Sequence, residues 1–147
     1  MSSAILSTLH LLALAIGLPG VFMRGRALRA GAVDRVLAAD NLWGIAAVLW
    51  LVTGLTRAFG SFEKGSGFYL NSGTFLVKMG LFAVVLLLEL WPMVTFIKWR
   101  ICRARGLPID ASRLAALARV NDLELAIVVA MPFVASMMAR GIGTITG

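Results

Sequence analysis

The sequence predicts an all-α integral membrane protein, a four-helix bundle in which each helix crosses a lipid bilayer. Hydrophobic residues make up 60% of the 147 and charged residues 14%, against roughly 45–50% and 25% in soluble domains. Mean hydropathy is +0.91. The apolar residues are gathered into four long runs, an arrangement that a water-soluble core does not need.

The first run, residues 4–23, is broken only by His10 and small polar residues. At about 1.5 Å rise per residue it matches a hydrocarbon core of about 30 Å. Residues 1–6 carry no Lys or Arg, which predicts a retained first span and not a cleaved signal peptide. Pro19 and Gly20 predict a kink or a frayed end. Residues 24–40, where Arg, Ala and Asp alternate, predict a short surface helix.

The second run is 41–59, with Asp40 or Asn41 as its expected N-cap. Residues 60–72, GSFEKGSGFYLNS, predict a loop with Phe62, Phe68 and Tyr69 as interfacial anchors. The third run, 73–99, is long for one crossing and predicts a tilted or projecting helix. Within it, Pro92 should leave the carbonyl of Leu88 without its helical partner. A basic loop follows, and Ser112 is the expected cap of a fourth helix, 115–140, whose membrane portion starts near Val120. The tail, 141–147, is expected to be disordered. One four-span domain thus accounts for residues 1–147.

Charge placement gives an orientation. The first and third connections carry Arg24, Arg26, Arg29, Arg35, Lys98, Arg100, Arg103, Arg105, Arg113 and Arg119, ten in all, against Arg57, Lys64 and Arg140 on the opposite side. The positive-inside rule then puts both termini on the non-cytoplasmic side of a bacterial inner membrane. The formal charge of +7 is explained by these flanks, and no basic stripe with interleaved aromatics points to nucleic acid. Cys102 is the single cysteine, so intrachain disulfides and cysteine-pair metal sites are excluded.

Ionisable residues inside a bilayer are costly and mark candidate sites. His10 and Lys78 fall at matching depth below one surface, with Arg57 at the same end of the second helix. Ser3, Ser7 and Gly17 share the face of His10, and Gly44, Ala47 and Gly54 line the second helix. Small residues at this spacing permit close helix contact. Nearer the other surface lie Glu89, Arg119, Asn121, Asp122 and Glu124. Glu89, Asp122 and Arg119 are the expected buried polar group, with Glu89 paired to Arg119 or another helix-four donor, or protonated. Phosphate loops, zinc-type His pairs and nucleophile–His–acid triads are not found.

Three stretches carry a family resemblance: TLHLLALAIGLPGVFMRGRALR (8–29), RAFGSFEKGSGFYLN (57–71) and TFLVKMGLFAVVLLLELWP (74–92). They resemble a family of small bacterial membrane proteins catalogued as a domain of unknown function. A more distant similarity extends to the HemJ-type protoporphyrinogen oxidases and the copper-resistance D-type membrane domains. The HemJ-type pattern has a functional His on its first helix and a functional Lys on a later one, matched here by His10 in LHLLAL and Lys78 in VKMGLF. The resemblance implies a bundle binding haem b, with His10 on the iron and Lys78 as a second cofactor-binding residue; Arg57, at the same end of the second helix, is the further cofactor-binding candidate from its position. Residues 24–35 lack the His and Tyr of that pattern, so the implied similarity is to the bundle and not to protoporphyrinogen oxidation.

Three function classes follow. A haem-binding or redox-related protein would use His10 and Lys78; bis-His ligation would require a homodimer, there being one His per chain. A small solute or ion transporter would use Glu89, Lys78 and the helix-four carboxylates, also as a dimer. A non-catalytic membrane partner or assembly protein would use its loops.

Overall fold

The computed structural model describes residues 2–59 and 72–143, which form four helices: α1 (Ser2–Arg29), α2 (Val33–Phe59), α3 (Gly73–Ala104) and α4 (Leu114–Ala139). Each is long and apolar enough to cross a membrane. The outward faces are apolar, with Leu11, Val48, Leu87 and Phe133 more than 60% exposed. Such surfaces suit lipid and would aggregate in water.

The segment 24–40 is not a surface helix. α1 runs unbroken through Pro19 to Arg29, and α2 begins at Val33, well before Asp40. Only residues 30–32 lie between them. Gly31 takes φ +65°, and the amide of Ala32 donates to the carbonyl of Ala27 at 3.0 Å. A left-handed glycine at this place closes a helix at little steric cost. α3 likewise extends past residue 99, continues through Pro92, and closes at Gly106 with φ +65°. The prolines are absorbed because neighbouring helices hold the chain on course.

Ser72 caps α3, its Oγ accepting from the amide of Phe75 at 3.3 Å. Ser112 does not cap α4; its amide donates instead to the Asp110 carboxylate at 2.9 Å. The hydrogen bonds from Ser112 hold the Asp110 carboxyl below its ordinary range. The indole of Trp99 donates to the Asp110 carbonyl at 3.0 Å, tying this turn to α3. Residues 141–143, expected in a disordered tail, lie across the start of α3, where Gly73 donates to the Gly143 carbonyl at 2.9 Å. The expected anchors Phe62, Phe68 and Tyr69, with Lys64, fall outside the described residues.

α1 packs on α2 and α4, and α4 on α3. Between α2 and α3 the link includes polar side chains: Trp43 to Glu89 and Arg100 to Asp40. The core is layered along the bundle. Ala27, Leu28, Val36, Leu37, Phe96, Trp99, Leu117 and Ala118 fill the end that carries the two short turns. Ala13, Val21, Trp43, Trp50, Val85, Val128 and Met131 fill the middle.

Close approach of α1 to α2 depends on glycine. A Cβ at Gly20 would stand 3.0 Å from the backbone nitrogen of Trp43, and one at Gly17 would stand 3.0 Å from Ala46 Cβ. Gly44, expected at this contact, has nothing within 4 Å. Gly20→Val should therefore cost about 1–3 kcal/mol through overpacking, while Gly44→Val should not. Thermal unfolding of the two variants in detergent checks this; equal losses would contradict the packing.

Candidate functional site

Two polar sites occupy opposite ends of the bundle. The first is a cavity of about 380 Å³ toward the end that carries the chain termini. All four helices line it, and His10, Arg57 and Lys78 are brought together there. The matching depths expected from the sequence therefore correspond to one shared space. Its apolar walls include Trp50, Phe75, Phe82 and Met131.

His10 is held by α2. Its Nδ1 lies 2.8 Å from Thr53 Oγ1. The Thr53 hydroxyl donates to the Leu49 carbonyl at 2.5 Å. A hydroxyl has one proton, so Nδ1 is the donor in this pair, the arrangement that in a neutral imidazole leaves the lone pair on Nε2. The Trp50 indole donates to the His10 carbonyl at 3.1 Å, with the two rings 6.0 Å apart. Gly54 lets the imidazole lie close, since a Cβ there would stand 3.5 Å from His10 Cε1. This orientation is what a metal-ligating or acid–base histidine requires.

The second site is built around Arg24. The buried stripe of α1 continues through Ala13, Gly17, Val21 and Leu28 at helical spacing and turns Arg24 into the bundle, where it is 0% exposed. Every N–H of its guanidinium is used. Nε donates to Asn121 Oδ1 at 2.8 Å. Nη1 donates to Asp40 at 3.0 Å and Glu89 at 2.8 Å. Nη2 donates to Glu89 at 2.9 Å and Glu124 at 2.5 Å. The Trp43 and Phe96 rings lie 5.7 and 5.6 Å from the guanidinium carbon, adding cation–π contact. Trp43 Nε1 donates to Glu89 at 3.0 Å, and Arg100 reaches Asp40 at 2.8 Å.

This corrects the expected buried group. Glu89 turns inward, but its cation is Arg24 and not Arg119. Asp122 is exposed and pairs with Arg29 at 2.7 Å, and Arg119 is exposed as well. Asn121 and Glu124 share the inner face of α4, which turns Arg119 and Asp122 outward. Arg24 and Asp40 were missed because Pro19–Gly20 reads as a helix end. The available signal was the small-residue spacing, which runs past Pro19 without interruption.

A buried ion pair missing one partner leaves uncompensated charge, a loss of about 3–5 kcal/mol. Arg24→Ala should lose at least this much and yield little folded protein. Arg24→Lys should fail to restore it, because an ammonium has three donors and no planar fork. Detergent-resistant yield and thermal unfolding test this; wild-type behaviour of Arg24→Lys would contradict it.

Among the described residues, no grouping of three or more His, Cys, Asp or Glu side chains has the geometry to hold a metal ion. No curated protein and no solved structure matches the chain. A family model described as "Predicted membrane protein (DUF2214)" matches residues 2–143. The chain therefore belongs to this DUF2214 family of membrane proteins.

Proposed function

We propose that the protein binds haem b in the cavity near its termini and serves a redox-related role in a bacterial inner membrane. The observation that carries this reading is the convergence of His10, Lys78 and Arg57 on one apolar-walled cavity. Its volume of about 380 Å³ lies within the roughly 300–1,000 Å³ typical of small-ligand sites. The donor set fits the group. A neutral imidazole oriented through Nδ1 is a common haem-iron ligand, and two cations suit paired propionates. Haem, when bound, supplies one-electron chemistry.

The chain's own residues would do the rest. Thr53 fixes the tautomer and ring orientation of His10. Lys78 and Arg57 neutralise carboxylates at the mouth. Trp50, Phe75 and Phe82 exclude water. By the positive-inside rule, both termini and this cavity belong to the non-cytoplasmic half of the membrane.

Packing lends little support to the transporter reading. Val21, Val85 and Val128, all buried, lie between the cavity and Glu89, interrupting a polar path, and Asp122 faces outward.

The test is a visible spectrum of the purified protein, expressed with haem precursor. A Soret band is expected in the wild type and its loss in His10→Ala. Thr53→Val should weaken haem affinity about 10- to 100-fold, as second-sphere losses at metal sites do. Lys78→Ala and Arg57→Ala should lower affinity while leaving the band. A wild type that stays colourless after added haemin would end the reading.

A further inference from the structure

The Arg24 cluster carries more negative than positive charge. Asp40, Glu89 and Glu124 face Arg24 and Arg100, three carboxylates against two guanidinium groups. The nearby exposed pairs Arg29–Asp122 and Arg103–Asp34 are each balanced within themselves. One carboxylate of the cluster is therefore in excess.

Geometry identifies which one. Arg24 has five N–H donors and all are engaged, so it has none left to offer. Asp40 receives a second cation, Arg100, and Glu89 receives the Trp43 indole. Glu124 has neither. Its side chain is 0% exposed, and its Oε1 is a buried atom with no hydrogen-bond partner. Glu89 and Glu124 also accept from the same Nη2, which sets two carboxylates face to face across one nitrogen. Two carboxylates held this closely do not both ionise readily, and a buried charge without a partner is far costlier than a buried neutral acid.

We propose that the Arg24 cluster is a proton-binding site that holds one exchangeable proton on Glu124. The proton on Oε1 balances the cluster, leaving Arg24 and Arg100 against the charges of Asp40 and Glu89. Oε2 still accepts from Arg24, so all four helices stay joined. A metal cation is the poorer ligand, because it needs several oxygens converging on it, and no such grouping exists among the described residues. The charged groups around Glu124 are Arg24 of α1, Asp40 of α2 and Glu89 of α3, with Arg100 of α3 beyond Asp40 and Asn121 of its own helix on Arg24 Nε. The site is independent of haem and lies about 21 Å along α1 from His10 at about 1.5 Å per residue.

The experiment is an infrared spectrum of the full-length protein in lipid vesicles at neutral pH. A carboxylic-acid carbonyl band is expected, separate from the ionised carboxylates and shifted in heavy water. It should move when side-chain-labelled glutamate is incorporated, and it should vanish in Glu124→Gln. Should Glu124→Gln fail to fold, Glu124→Asp keeps the acid, and the band should then respond to labelled aspartate. A wild type with no such band overturns the proposal. So does a band indifferent to glutamate labelling, or one unchanged in Glu124→Gln.

Discussion

A single buried guanidinium organises this bundle. Arg24 of α1 bonds to Asp40 of α2, Glu89 of α3, and Asn121 and Glu124 of α4, so one side chain touches every helix. Within lipid, helices have little hydrophobic reason to associate, because a neighbouring leucine and a lipid tail are equally apolar. Shape and polar contacts must then specify which helices meet and at what height. The fork of Arg24 does both. Its donors point in fixed directions, and leaving any carboxylate unmet in that setting costs several kcal/mol.

The remaining packing is arranged around this constraint. Gly17 and Gly20 bring α1 against Ala46 and Trp43 of α2, which sets Asp40 within reach of Arg24 and lays the Trp43 ring beside it. Gly25 leaves room for the Asn121 amide, which also donates to the Val21 carbonyl at 3.0 Å. Above the cluster an apolar layer separates it from the cavity of His10, Lys78 and Arg57. Two polar environments thus coexist in one small bundle without merging. In the one near the turns every guanidinium donor of Arg24 is engaged. The one near the termini has space, cations and an oriented imidazole.

The candidate site was partly legible in the sequence. His10 and Lys78 could be matched in depth because depth follows from counting residues along a helix of known rise. Their common cavity also required that both face inward, and the small residues beside His10 pointed that way. Arg24 was hidden because flanking arginines are ordinarily read as membrane-edge charges, and Arg26 and Arg29 beside it are such charges. Asp40 was hidden by the same boundary, since a helix cap is the common role of an Asp before an apolar run. Thr53 was hidden because its bond to His10 depends on how α1 and α2 are rotated.

The amino-acid sequence by itself determined that this chain crosses a membrane four times as an all-helical bundle. Run length, composition and the absence of water from the hydrocarbon core leave no other backbone solution for such segments. It also determined that charged groups inside the spans needed partners. Only the tertiary structure decided which partners these are. Charge pairing across helices depends on axial offset and rotation, which arise from close contacts such as Gly20 on Trp43, and no periodicity within one helix encodes the angle of its neighbour.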